Sequence, residues 1–256
     1  MNIEMNIEMN TKPYTFQDNF LKEDVAYKIQ KEILDIPDEE WDRYENPFES
    51  KYTLRNKYTF PENLRTLFEE LESDIFINKL SEITGYKLLL DPTRNFWGVH
   101  KYNNGDKLDI HVDAGLHPNT KQKKQVTFGI YLSKNWKEEY GCELEMWSGD
   151  NCVSNDSTLY QKIESIAPIF NRMVLFINND YSWHGNPTPS KCPYDSKRIF
   201  VTISYLSDNY DDKNKRQKAF FIKRPDDPED EEKDRLRLLR EDVNMCKDVY
   251  KISFYN

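Results

Sequence analysis

The chain has 256 residues, enough for one domain whose core folds unaided. Its 45 acidic and 36 basic residues give a net charge of −9, which disfavours nucleic acid and anionic membranes as partners. Aromatic residues make up 14%, so many large rings must be buried or line a cleft.

Residues 1–13 begin with a repeated Met-Asn-Ile-Glu unit and lack the basic and apolar regions of a signal peptide, so they read as a disordered N-terminal extension. Residues 14–256 read as a single domain: 14–85 helical support, 86–208 a β core, 209–256 a C-terminal extension with a helix. Tyr14–Phe20 is a short strand or entry loop. Leu21, Val25, Ile29 and Ile33 recur every fourth residue and predict a helix over Leu21–Leu34, with Pro37 just beyond its end. Trp41–Tyr58 reads as irregular and aromatic, a flap or packing segment. A second helix starts near Pro61 and carries Leu64, Leu67, Phe68 and Leu71; a third covers Ile75–Ile83 and stops at Gly85.

From Tyr86 the period changes. Eight short runs alternate with turn signals: Lys87–Leu90, Phe96–Tyr102, Lys107–His111, Gln125–Leu132, Cys142–Trp147, Leu159–Ile163, Met173–Ile177 and Arg198–Leu206. No helical pattern separates them, which favours a sandwich or jelly roll over a parallel α/β sheet. The expected class is mostly β with flanking helices (α+β). The run Lys121-Gln122-Lys123-Lys124 reads as a solvated loop. Phe220–Lys223 is a further candidate strand. The last helix shows an apolar stripe of Leu236, Leu239, Val243 and Cys246, expected to dock on the core. Cys142, Cys152, Cys192 and Cys246 have no CxxC spacing and read as free thiols in a reducing, cytoplasmic setting. No apolar stretch approaches the roughly 18 residues of a membrane span.

The chemistry concentrates at His111-Val112-Asp113. Strand side chains alternate, so this spacing puts the imidazole and the carboxylate on one face. Together they supply two-thirds of a facial triad for non-haem Fe(II). A distant histidine must complete it, and His184, after the apolar run Met173–Ile177 and the turn Asn178-Asn179-Asp180, is the candidate. Arg198 opens a strand-like run, and a buried arginine there calls for an anion. A dicarboxylic cosubstrate or nearby Asp195 would serve. His100 either lines the mouth of the site or is a satisfied strand histidine. His117, in a polar loop before Pro118, is expected to face solvent. Trp97, Trp147, Trp183 and the Trp41–Tyr58 segment are candidates to frame an entrance.

The stretch from Tyr86 to Tyr205 resembles the Fe(II)/2-oxoglutarate-dependent oxygenases, within them the prolyl 4-hydroxylase-like group. The resemblance rests on Tyr102-Asn-Asn-Gly105 leading to His111-Val-Asp113, on Val126-Thr127-Phe-Gly-Ile-Tyr131-Leu132, on Trp136 and on Gly141-Cys-Glu-Leu144-Glu-Met-Trp147. Phe176, Trp183-His184-Gly185 and Arg198 complete it. It implies a double-stranded β-helix (jelly-roll) core with iron in its mouth. It implies that His111, Asp113 and His184 ligate Fe(II), that Arg198 and Tyr131 bind the far carboxylate of 2-oxoglutarate, and that Tyr102 lines the cosubstrate pocket. Thr127 shares the Tyr131 face if that run is extended. The implied reaction consumes 2-oxoglutarate and O2, with ascorbate a further candidate, and hydroxylates a peptidyl proline or a small molecule with release of succinate and CO2. Related halogenases replace the carboxylate of the triad, so Asp113 favours hydroxylation. The chain departs from the group in Arg198, where many members have lysine, in Cys142, where a second glycine is usual, and in the thirteen residues Gly185–Lys197 before Arg198. The alternatives are a cupin-type metal isomerase or epimerase, and a non-catalytic binding module on the same barrel.

Overall fold

The computed structural model describes residues 3, 7–9, 12–152, 156–208 and 218–241. In chain order the elements are β1 (Tyr14–Gln17), α1 (Glu23–Leu34), β2 (Asp42–Asn46), β3 (Glu49–Leu54), α2 (Glu62–Leu71), α3 (Asp74–Thr84), β4 (Trp97–Tyr102), β5 (Lys107–Val112), β6 (Lys123–Tyr131), β7 (Leu144–Gly149), β8 (Leu159–Ile166), β9 (Arg172–Ile177), β10 (Trp183–Asn186), β11 (Arg198–Ser207), β12 (Phe220–Phe221) and α4 (Glu231–Glu241). The strands form one antiparallel curled sheet in the order β1-β9-β6-β11-β4-β3-β5-β10-β7-β8, with β2 on β3 and β12 on β5. This is the expected jelly-roll core with helices at its flank.

Alternation explains how the sheet is both core and site. On β11, Ile199, Val201, Ile203 and Tyr205 face the helices, while Arg198, Phe200, Thr202 and Ser204 line a cavity. On β6, Val126, Phe128 and Ile130 pack outward and Thr127 and Tyr131 inward. Gly129 is the inward residue between them; a Cβ there would lie 2.1 Å from the Phe200 ring, so only glycine admits that ring. The outward residues meet Ile29, Ile33, Leu64, Leu67, Phe68 and Leu80 of α1–α3, all essentially fully buried. Burial of each such side chain contributes about 1.5–3 kcal/mol. Helix α1 carries Glu23 and Asp24 in its first turn, as the macrodipole favours, and the Ser73 side chain caps α3 by accepting from the Phe76 N–H.

Several expectations need correction. Trp41–Tyr58 is not irregular: it contains the hairpin β2–β3, turned at Asn46, whose side-chain oxygen accepts from the Phe48 and Glu49 N–H groups. Its period-two signal is hidden because two of the buried positions of β3 are charged, Glu49 and Lys51. Lys87–Leu90 makes only a single bridge, Leu89 to Leu206, rather than a strand. The four-residue β10 was not anticipated. Lys121–Lys124 is not a free loop, since Lys123 and Lys124 begin β6 and Lys124 is buried. Of residues 1–13, Ile7 is buried and Ile3 and Met9 pack against the principal core. Leu236 and Leu239 of α4 dock with Phe48 and Phe221 as expected, while Val243 and Cys246 lie outside the described residues. Among the described residues no helix is long and apolar enough to cross a membrane.

Candidate active site

β5 and β10 are antiparallel neighbours with His111 directly opposite His184. Close approach depends on Gly185, where a Cβ would stand 2.7–3.0 Å from the Leu108 and Asp109 backbone. The two imidazoles therefore meet, ring centroids 4.4 Å apart, and Asp113 follows at the end of β5. Asp113 Oδ1 is 3.3 Å from His111 Nε2 and Oδ2 is 3.8 Å from His184 Nε2. One ligand atom from each of the three lies within 4.8 Å of the others, a spacing that one metal ion can bridge. The backbone orients both rings. His111 Nδ1 donates to the Asp109 carbonyl at 2.9 Å and His184 Nδ1 to the Ser182 carbonyl at 2.8 Å. A carbonyl only accepts, so Nδ1 carries the proton and the Nε2 lone pair is left for a metal.

The electrostatics agree. Burial, together with neighbouring His111, lowers His184 to about 4, so its imidazole is neutral at pH 7. Burial would raise Asp113, but Lys124 outweighs it and holds the carboxyl well below its usual range. Lys124 Nζ is 2.5 Å from Asp113 Oδ2. Sequence reasoning missed this lysine. A β-bulge between Tyr205 and Leu206, opposite Lys124–Val126, shifts the alternation so that Lys124 lines the cavity rather than sharing the Val126 face.

The triad sits in the wall of a cavity of about 240 Å³ that also receives Arg198, Tyr131, Tyr102, Thr127 and His100. Arg198 is 2% exposed. Its Nε donates to the Cys142 carbonyl at 2.9 Å and one terminal nitrogen to the Tyr131 hydroxyl at 3.3 Å. The guanidinium lies 4.6 Å from the Tyr102 ring centroid and 5.0 Å from that of Tyr131. Among the described residues no carboxylate, Asp195 included, reaches ion-pair distance of it. The Thr127 hydroxyl is tied to Ser204 at 3.1 Å and accepts from Asn178 at 2.9 Å. His100 takes the mouth-lining place rather than that of a satisfied strand histidine. It faces the cavity, and burial, then Lys51, Arg55, Arg198 and Lys124, drive its pKa well below 6.5.

Other expectations fail. His117 is fully buried rather than solvent-facing. Its Nδ1 accepts from the Asn119 and Thr120 N–H groups, and Nε2 meets the Thr93 hydroxyl at 2.8 Å and Asp91 at 3.2 Å. It clamps the loop after Asp113 to the loop before β4. Of the three tryptophans expected at the entrance, Trp97 lines the cavity, whereas Trp183 is buried with its N–H on the Asp150 carbonyl and Trp147 donates to Glu145. The C-terminal segment, whose role was unassigned, closes one wall: Phe221 pairs with His111 across β12–β5, and Ala219, Phe221 and Arg240 line the cavity.

Residues 97–206 match the family described as the 2OG-Fe(II) oxygenase superfamily. These residues form a 2-oxoglutarate–Fe(II) oxygenase domain. No curated protein matches the sequence. Among solved structures, a prolyl hydroxylase from Trichoplax adhaerens in complex with a peptide fragment of the hypoxia inducible factor oxygen degradation domain superposes with a TM-score of 0.57. Identity is 20%, covering 80% of this chain and 86% of that one. A prolyl-4-hydroxylase from Pseudomonas putida gives a TM-score of 0.56 at 16% identity, over 77% of this chain and 94% of that one. At such identities these likenesses establish a common fold. The oxygenase family uses Fe(II), 2-oxoglutarate and O2, and both the His-Asp-His cluster and the unpaired buried guanidinium suit that set. The match favours an oxygenase over the isomerase and binding-module alternatives.

Proposed function

We propose that the protein hydroxylates peptidyl proline, with His111, Asp113 and His184 holding Fe(II) and Arg198 and Tyr131 holding the far carboxylate of 2-oxoglutarate. One observation carries this reading: a single cavity pairs a three-donor cluster with a buried arginine that has no acid of its own. A buried guanidinium without a counter-ion is costly, and a dicarboxylate offsets that cost. Tyr102, under the guanidinium, and the Cys142 carbonyl fix its direction. Thr127, anchored by Ser204 and Asn178, adds a polar edge to the same pocket. Asp113 stays ionised, and Lys124 balances it.

When bound, Fe(II) with 2-oxoglutarate and O2 supplies the oxidation, releasing succinate and CO2 and adding oxygen to a substrate C–H bond. The chain contributes geometry and charge. The two Nδ1–H donors keep the imidazoles in the ligating tautomer, and the rings of Phe176, Phe200 and Phe221 exclude water from around the donors. The reading takes residues 14–256 as one unit, because β1, β2, β3 and β12 all hydrogen-bond into the same sheet. The buried free thiols Cys142 and Cys192 fit a reducing, cytoplasmic setting. The prolyl hydroxylase fold of the similar structures, one holding a peptide, supports peptidyl proline over a small molecule.

The test is oxidation of proline peptides. With Fe(II) and 2-oxoglutarate the protein should release succinate and add one oxygen to proline, and Asp113→Ala should lower both by at least about 100-fold. Succinate release with free amino acids or sugars, and none with peptides, would replace this substrate by a small molecule.

A further inference from the structure

The cavity carries more positive charge than this chemistry uses. Five cations line it, Lys51, Arg55, Lys124, Arg198 and Arg240, against two carboxylates, Glu49 and Asp113. The formal excess is three positive charges, in a chain whose net charge is −9. Fe(II) and the 2-oxoglutarate dianion cancel each other, so a loaded site keeps this excess. Most of the cations have local work. Lys124 faces Asp113 at 2.5 Å and Lys51 faces Glu49 at 2.7 Å. Arg198 serves the cosubstrate, and Arg240 donates to the Ala219 carbonyl and lies over the Phe221 ring.

Arg55 differs. It is exposed just after β3, its guanidinium 5.6 Å from the Tyr44 ring centroid, and no carboxylate among the described residues reaches ion-pair distance of it. It stands where the cavity opens into a shallow trough of about 390 Å³ that shares Arg55, Asn95 and Trp97 with the cavity. The other trough residues are Asn56, Tyr58, Thr93 and Arg94, with no acid. Arg94 is already taken by Glu72 through hydrogen bonds of 2.5 and 2.7 Å. An open, polar trough leading to the reactive centre suits an extended chain. One uncompensated cation on its rim, backed by a positive low-dielectric cavity, focuses the field on anions.

We propose that this mouth selects a peptide with acidic side chains beside the residue it oxidises, and that Arg55 is the contact that reads them. This rests on the peptidyl-proline reading above and narrows it. Four fluorescent peptides of one length test it: proline flanked by acidic, neutral or basic residues, and the acidic sequence with alanine in place of proline. Binding is read by anisotropy without O2, and oxygen incorporation by mass spectrometry. The acidic peptide should bind about five-fold tighter than the neutral one, the range of an exposed ion pair. Added salt should shrink the preference. The alanine peptide should share it, and Arg55→Glu should turn it toward the basic peptide. Equal binding of all charge forms, or an acidic preference that survives Arg55→Glu, overturns the inference. Intact charge selection with no oxygen added to any proline overturns the proline reading instead and leaves the anionic selection standing.

Discussion

The two walls of the cavity follow different rules. The wall of β4, β6, β9 and β11 alternates, apart from the bulge at Lys124–Val126, with apolar residues against α1–α3 and functional residues inward, so its site residues stand on strands braced by the principal core. The wall of β3, β12 and α4 is short and charged. Its links to β5 are short, two residues of β12 and two of β3, while β3 also pairs with β4 through three residues and with β2 through five. Ion pairs supplement these links: Glu49–Lys51 at 2.7 Å, Lys233–Asp109 at 2.6 Å and Arg224–Asp227 at 2.8 Å. Stability and cosubstrate geometry belong to the first wall, while the charge and shape of the opening belong to the second.

Breaking the first wall should cost most. Leu67 is fully buried between α2 and the sheet, so Leu67→Ala should lose about 2–5 kcal/mol of unfolding free energy. A lower urea midpoint at unchanged slope would show it; a loss confined to activity would mean that the helices do not brace the sheet. Arg198→Ala sharpens the comparison, because it removes function from the same wall without emptying the core. Only a carbonyl and a hydroxyl lose their donor. Half-saturation by 2-oxoglutarate should rise about 100-fold, with Fe(II) affinity and melting temperature little changed. An unchanged response to 2-oxoglutarate would remove Arg198 from the cosubstrate site.

This division also decides what was legible in the sequence. The braced wall announces itself, since Ile199, Val201 and Ile203 alternate with Arg198, Phe200 and Thr202, and the helices repeat leucine and isoleucine at their own period. His111-Val112-Asp113 was readable for the same reason. His184 needed a partner strand of four residues, too short for any period, and was found through its neighbours. The charged wall was not legible, because Glu49 and Lys51 are buried as a pair and mimic an exposed strand. Lys124 was hidden by a bulge, and His117 by a clamp whose partners, Asp91 and Thr93, lie over twenty residues upstream. Phe221 and Arg240 reach the site from beyond the family match at 97–206.

The smallest effect tests whether ion pairs hold the second wall. Burial acts to raise the Glu49 carboxyl, but Lys51 outweighs it and brings the pKa from 4.5 to about 2. The folded value is below the unfolded one, so the native state binds fewer protons in between. The pair therefore stabilises fully above the unfolded pKa and loses its contribution as pH falls toward about 2. A shift of this size corresponds to about 3 kcal/mol at most, reduced by whatever it costs to bury the pair. Glu49→Gln keeps the shape, removes the titration and leaves Lys51 unpaired. The stability gap between wild type and variant, from urea unfolding, should be widest near neutral pH, about 1–3 kcal/mol, and close as pH drops through that window. A gap that stays constant across the window would mean that the pair contributes packing rather than charge, and the contrast between the walls would reduce to strand length.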